Sequence, residues 1–506
     1  MQFFQDISVL LTPACLGWML VGTAVGILFG AMPGMSAALA VTVFLPVTYA
    51  LDITTSTALL LSLYIGGISG GLISAILINI PGTPSSVATT FDGAPMARKG
   101  LGGKALGAGV TYSFLGTVLG VVVMVFLAPI LARFAIKFGP YEYFAVTLCS
   151  LLLVAGLSGK DMIKGILGGL IGLTVGMVGL APVDAAARFT FGFTKLNSGL
   201  NSIAVLVGIF ALPEVLAYAR KRVEFDKVNT PKIKGLGFTV KEFAENIVNF
   251  FRSALIGLAI GILPGIGAGT SNMLAYAAAK NSSKHPERFG QGEMAGVVAS
   301  ETANNAGIGG AMIPLLSLGI PGDAVTVILL AGFILKGVNV GPRFFTDNPS
   351  LANAIYGALL IASILMFAMM MLGMRGFVKV MSVPLYFLLP CIMFICFIGA
   401  YAATNNIFNM WVMLVFGVLG YLLNHFEIPL GPLVIGFILG PTCETYWRRG
   451  MQMSDYSYLP FFESKIVCVI FAVAVLFIAW RVFAAFRKKR GVTEQKATEP
   501  AEKPEE

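Results

Sequence analysis

The sequence predicts an all-α polytopic membrane protein of about ten to twelve transmembrane helices, in two inverted repeats whose broken helices and hairpins meet near the bilayer midplane. Three observations predict it. Hydrophobic residues make up 57% of the 506 positions and charged ones 12%, with a mean hydropathy of +0.85, whereas a soluble domain carries about a quarter charged residues. Apolar stretches of ~17 to 25 residues, enough to cross a bilayer, recur from Leu16 to Trp480. They must be helices, because an open sheet would leave backbone groups unpaired in lipid. The third observation is a helix-breaking pattern that occurs twice. Gly26-x-x-x-Gly30-x-x-Pro33-Gly34 returns as Gly257-x-x-x-Gly261-x-x-Pro264-Gly265, and Ile80-Pro81-Gly82 returns as Ile320-Pro321-Gly322. Interrupted apolar segments at corresponding places in two halves point to the binding site of a secondary transporter.

The chain divides accordingly into a first transmembrane repeat (1–219), a basic connector (220–252), a second repeat (253–464), an additional helix with a basic end (465–490) and a polar tail (491–506). Met1 to Thr12 carry Asp6 and no basic residue, so no cleaved secretory signal is expected and the first helix stays in the membrane. The connector holds Arg220, Lys221, Arg222, Lys227, Lys232 and Lys234, and the last span is followed by Arg487, Lys488, Lys489 and Arg490. By the positive-inside rule both belong in the cytoplasm. The formal charge of +9 is thus explained by orientation and calls for no nucleic acid. The first repeat starts after a segment without positive charge, hence outside; the second starts directly after the connector, hence inside. Opposite starting sides make the repeats inverted, and the span Ile466 to Arg481 then returns the tail to the cytoplasm. The tail holds nothing large and apolar after Val492 and is expected to be disordered. Cysteines 15, 149, 391, 396, 443 and 468 form no C-x-x-C pair and read as small packing residues.

The breaks carry the chemistry. After Asn79-Ile80-Pro81-Gly82, Thr83 is placed to cap a half-helix, Pro84 suits its first position, and Ser85 and Ser86 set hydroxyls beside exposed amides. The free N–H groups and positive dipole end of such a helix suit a carboxylate. In the second copy, Pro321-Gly322 is followed by Asp323, which would repel an anion. It serves a coupling cation or proton, or simply caps its helix, and the two roles are compatible. Pro33-Gly34-Met35-Ser36 and Pro264-Gly265 onward to Thr270, Ser271 and Asn272 add close backbone approach and neutral hydrogen-bonding groups. Gly265-x-Gly267-x-Gly269 follows an apolar helix rather than a strand and is no dinucleotide fingerprint. Gly22, Gly26 and Gly30 read as a close-packing stripe.

Glu301, Asn304 and Asn305 offer oxygen ligands to a hard cation, although Glu301 could equally pair with Lys336. Asp92 is expected in a turn or paired with Arg98. His285 reads as a loop residue and His425 as a helix end. With only two histidines and no H-E-x-x-H or G-x-S-x-G pattern, a membrane enzyme is disfavoured. A passive channel is harder to exclude.

The run from Asn79 to Ala97, NIPGTPSSVATTFDGAPMA, with Gly30-Ala31-Met32-Pro33-Gly34 and the Gly261 to Gly269 string, resembles the large membrane subunit of the tripartite tricarboxylate transporters, the TctA family. The resemblance covers nearly everything before the tail. It implies import of citrate or other di- and tricarboxylates across the bacterial inner membrane on a gradient of Na+ or H+, with no other cofactor. It also implies two partners, a small four-helix membrane subunit and a periplasmic solute-binding protein. It carries over the Pro-Gly segments as the substrate path and assigns no single side chain.

Overall fold

A helix with no exposed polar face has nothing to offer to water and belongs at the centre of a bundle. Two segments are of this kind. Ile53–Leu77 starts where the Asp52 carboxylate accepts from the Thr55 N–H (3.0 Å), and it is buried without interruption from Thr55 to Ile76. Its counterpart, Met294–Leu318, is likewise buried along nearly all its length and ends at Gly319 in the left-handed conformation, φ 73°. The computed structural model describes residues 2–157, 162–220, 237–265, 268–381, 385–402, 405–476 and 478–479. The basic residues of the connector from 221 to 236, the basic end at 487–490 and the tail lie outside them.

The described residues form an all-α polytopic membrane protein, with a two-stranded hairpin, Gly179–Leu180 against Ala187–Arg188, as a minor exception. Five helices are individually long and apolar enough to cross a bilayer: Pro13–Ala31, Ile53–Leu77, Pro84–Ala135, Pro349–Met374 and Phe408–His425. Eight shorter apolar helices accompany them. Several are short because Pro-Gly breaks divide what composition alone reads as continuous spans. The second repeat's first helix begins at Ile247, so Ser253 lies well inside it, and it is preceded by the short helix Val240–Glu245. Lys104 pairs with Glu242 there and holds its carboxyl down to about 2.

Contacts repeat under exchange of the halves. Pro13–Ala31 packs on Ile53–Leu77 as Ile247–Ile262 packs on Met294–Leu318. Gly102–Ala135 lies along Met294–Leu318, and its counterpart Pro349–Met381 lies along Ile53–Leu77. Ser202–Arg220 packs on Phe408–His425 as Leu430–Met453 packs on Met162–Gly176. The glycine stripe shows what sets the first pairing. A methyl group at Gly26 would stand 2.5 Å from the Leu63 carbonyl oxygen, and one at Gly257 would stand 2.3 Å from that of Ala303. Without a hydrophobic drive between helices in lipid, such backbone proximity supplies the dispersion contact that holds them together.

The breaks reproduce each other in backbone geometry. Met32 (φ −85°, ψ 115°) and Leu263 (φ −81°, ψ 115°) are both extended, as a residue preceding proline should be. Gly34 and Gly265 follow at φ 82° and 79°. At the second break the left-handed position is Gly319 in one copy and Asn79, φ 57°, in the other. Asparagine is among the few side chains that tolerate that region. Asn79 therefore has a conformational reason for its place, and its side chain is exposed.

Candidate functional site

Within each half the two breaks touch. A methyl at Gly82 would lie 2.1 Å from the Gly30 carbonyl oxygen, and one at Gly322 would lie 2.8 Å from that of Gly261. The Gly265 N–H donates to the Gly322 carbonyl (2.9 Å). Across the halves, the second break of each repeat meets the helix that starts at the first break of the other. Pro84–Ser86 packs on Ala268–Asn281, and Ala324–Leu335 packs on Ala37–Phe44. Pro33, Gly34, Pro81, Pro264, Pro321 and Gly322 thereby frame two junctions at which helix N-termini converge.

At the first junction Thr83 heads a capping box: its N–H donates to the Ser86 hydroxyl (3.2 Å), and its own hydroxyl accepts from the Ser86 backbone. The Thr83 and Ser85 hydroxyls lie 2.9 Å apart, and all three side chains are buried. Asn272 reaches in from the other half and donates through Nδ2 to the Ser85 carbonyl, while its Oδ1 has no donor among the described residues. Gly269 brings backbone against Pro84. Ser271 is buried beside Asn272, whereas Thr270 is exposed. The site thus combines buried hydroxyls, an orphan amide oxygen and two helix starts of positive dipole.

The second junction has the same skeleton but is closed. Ser36 Oγ accepts from the Leu39 N–H (3.1 Å), capping Ala37–Phe44. Asp323 forms the matching capping box with Thr326, accepting on Oδ1 from the Thr326 N–H (2.8 Å), so the capping role foreseen for it is present. Its Oδ2 accepts from the Tyr64 hydroxyl (2.5 Å). At the same 240-residue offset, Asn304 is the counterpart of Tyr64 and Thr83 that of Asp323. Where a tyrosine fills the second junction, a shorter asparagine stands in the first. Asn304 donates to the Ile68 carbonyl (3.5 Å) and leaves its Oδ1 without a partner among the described residues.

A buried polar cluster ties this arrangement together. Glu301 accepts from the Thr89 hydroxyl on Oε1 (2.5 Å) and from Ser113 on Oε2 (3.0 Å). Asn305 accepts from Ser69 (2.7 Å) and Thr117 (3.3 Å) and donates to the Glu301 carbonyl. Glu301 and Asn305 belong to the second repeat and the four hydroxyls they accept from to the first. The ion pair weighed for Glu301 is not formed: Lys336 donates instead to the Leu51 carbonyl (2.5 Å), where a helix end leaves that oxygen free.

Asp92 also departs from expectation. It pairs with no arginine. Its Oδ1 accepts 2.8 Å hydrogen bonds from the N–H groups of Gly290, Gly292 and Glu293, clamping the loop before Met294–Leu318 onto the half-helix Val87–Met96. Three backbone donors compensate a carboxylate more completely than one exposed arginine would. Asp92→Ala should cost about 2 to 4 kcal/mol by stranding them. Limited proteolysis checks this: the variant should be cut between Ser282 and Glu293 under conditions that spare the parent. His285 sits in this loop beside Glu287 (3.2 Å), and His425 ends its helix, as expected of both.

Two participants went unforeseen. Tyr64 is hidden in an apolar run, and nothing marks its hydroxyl as functional before Asp323 is placed beside it. Glu214 was legible, being a carboxylate in the apolar helix Ser202–Arg220, which in a membrane segment is a functional candidate in itself. Its Oε1 accepts from Ser36 (3.4 Å), and its Oε2 is buried with no donor among the described residues.

The Tripartite tricarboxylate transporter TctA family matches residues 16–435. An uncharacterised 52.8 kDa protein of the TAR-I ttuC' 3' region of Agrobacterium vitis is 34% identical over 481 residues, covering 95% of both chains. An uncharacterised protein of the TAR-II ttuC' 3' region of the same organism is 33% identical over 234 residues, covering 46% of this chain and 97% of its own. No solved structure gives a significant match.

Proposed function

The chain belongs to the tripartite tricarboxylate transporter TctA family, and from that premise we propose that it imports citrate-like di- or tricarboxylates by cation-coupled alternating access. In this reading it works in the bacterial inner membrane, with the basic connector and tail in the cytoplasm. A periplasmic solute-binding protein delivers the substrate, and a small four-helix membrane subunit completes the complex.

The observation that carries the reading is the first junction, where the side-chain oxygens of Asn272 and Asn304 are buried with no donor among the described residues. A carboxylate placed there meets the N-terminal N–H groups of two helices, each dipole worth about 0.3 to 2 kcal/mol to a nearby anion. It also meets the hydroxyls of Thr83 and Ser85 and the amides of Asn272 and Asn304. The mirrored junction, filled by Tyr64 and carrying the Asp323 charge, is hostile to an anion. Inverted repeats around such a site allow one half to rock against the other and expose it to either side.

The test is uptake of radiolabelled citrate into proteoliposomes holding the complete complex. Ser85→Ala combined with Asn272→Ala should raise KM about tenfold or more while kcat changes less, as expected of lost binding contacts. Undiminished uptake after Ser85→Ala with Ser86→Ala, and after Asp323→Asn, would remove the roles assigned to these side chains. Accumulation against a concentration gradient separates the carrier from a passive anion channel.

A further inference from the structure

Four buried or half-buried carboxylates among the described residues of the bundle have their charge answered by protein groups. Asp92 takes three N–H donors. Asp323 takes the Thr326 N–H with two hydroxyls. Glu301 takes two hydroxyls. Glu444 faces Arg188 and Arg448. Glu214 has a single long hydrogen bond from Ser36. From this contrast we propose that Glu214 is the site at which the coupling proton is carried. The inference rests on the transport reading above and adds the identity of the coupling ion to it.

An ionised carboxylate held in an apolar span on one long hydroxyl contact, its second oxygen without a donor, is strongly disfavoured, and taking up a proton is the simplest relief. A sodium ion would need several oxygen ligands around it, as hard cations do, whereas among the described residues Ser36 is the only side chain bonded to Glu214. The surroundings bring no competing charge. Of the helices packed against Ser202–Arg220, Ala37–Phe44 has no ionisable residue, and Ala324–Leu335 has Asp323 at its start and Lys336 at its end. Phe408–His425 carries Tyr421 and His425; Leu385–Ala402 carries Tyr386, Tyr401, Cys391 and Cys396. Leu430–Met453 carries Cys443, Glu444, Tyr446, Arg448 and Arg449. Among the described side chains on these helices, none forms an ion pair or hydrogen bond with Glu214.

The position also connects the proton to the moving parts. Ser36 caps Ala37–Phe44, the half-helix that starts at the first break and packs on the Asp323 half-helix. When Glu214 is protonated, its hydroxyl can turn to the Ser36 oxygen. When it is ionised, it can only accept from Ser36, which then aims its hydrogen away from any other partner. In the cycle Glu214 takes one proton from the outer medium and releases it to the cytoplasm, with no other bond made or broken. On the counterpart helix of the second half, Thr442 follows Pro441 as Glu214 follows Pro213.

The experiment uses proteoliposomes of the complete complex and radiolabelled citrate, with two readouts. Accumulation driven by an acid-outside pH gradient reports coupling, and citrate exchange without any gradient reports binding and isomerisation. Glu214→Gln should lose gradient-driven accumulation by about tenfold or more while keeping exchange within about twofold. Glu214→Asp should restore a measurable response to the gradient. Accumulation in Glu214→Gln equal to that of the parent, or a parent driven by sodium alone, would overturn the proposal. Should Glu214→Gln lose exchange as well, Glu214→Asp decides: gradient-driven accumulation there upholds the assignment, and its absence beside intact exchange overturns it. Absence of exchange in the parent would instead strike at the transport reading itself.

Discussion

Gly82→Ala is expected to abolish uptake and to lower the thermal stability of the purified protein. The added methyl would lie 2.1 Å from the Gly30 carbonyl oxygen, 2.6 Å from Ser74 Oγ and 2.9 Å from Gly71 Cα. Two of these obstacles are backbone, which cannot rotate aside as a side-chain end can. Relief requires the first break to move away from the second, which displaces Thr83 and the capping box built on it. Overpacking of a tight interior costs about 1 to 3 kcal/mol, occasionally more, and this site belongs at the upper end. Gly322→Ala meets Ala311 Cα at 2.7 Å and the Gly261 oxygen at 2.8 Å, so it should be harmful in the same direction but milder. Gly431→Ala, with nothing within 4 Å, is the control that should change neither melting temperature nor uptake. Equal behaviour of the three variants would mean that the breaks are not packed as described.

The repeat was legible because its geometry demands particular residues. A helix cannot continue through Pro33 or Pro264, only glycine enters the left-handed region freely at Gly34 and Gly265, and the stripe at Gly22, Gly26 and Gly30 admits no larger side chain. Such constraints are local and survive in a linear string. The caps Thr83 and Asp323 were legible for the same reason, each standing directly after its Pro-Gly break, although Ser86 and Thr326 were not read as their partners.

What the string could not convey is which distant group answers each polar side chain. Asp92 and Arg98 are close in sequence and suggested a pair, yet three N–H groups some two hundred positions away are better aligned. Glu301 and Lys336 were matched on charge alone, while hydroxyls on two other helices had the shorter approach. The inequality of the two junctions was legible only in its caps, Thr83 against Asp323; that Tyr64 faces Asp323 while Asn304 takes the equivalent place was not. Length alone does not show where a span is broken. Composition counts apolar residues, and a span divided at Pro81 or Pro321 has the same composition as an unbroken one.

Glu301→Ala should produce the other large effect, and its physical origin differs from that of Gly82. Glu301 is fully buried, and its two oxygens serve hydroxyls from separate helices of the first repeat, Thr89 on Val87–Met96 and Ser113 on Gly102–Ala135. Removing the carboxylate leaves a void and strands those donors. Thr89 can turn to Ser300 (3.0 Å), so the loss falls mainly on Ser113 and on packing, about 2 to 4 kcal/mol in all. Glu301→Gln keeps the volume and one acceptor, and its amide can donate to a hydroxyl that turns to accept, so about 1 kcal/mol is expected. The functional consequence travels through Thr89, which sits on the half-helix that presents Thr83 and Ser85 to the junction. Loosening that tether should raise KM for citrate more than it lowers stability would suggest. A double-mutant cycle between Glu301→Gln and Thr89→Val should give a coupling energy of about 1 kcal/mol or more in thermal unfolding. Additive effects in that cycle would mean that the cluster merely fills space, and the half-helix would then have to be held by the Asp92 clamp alone.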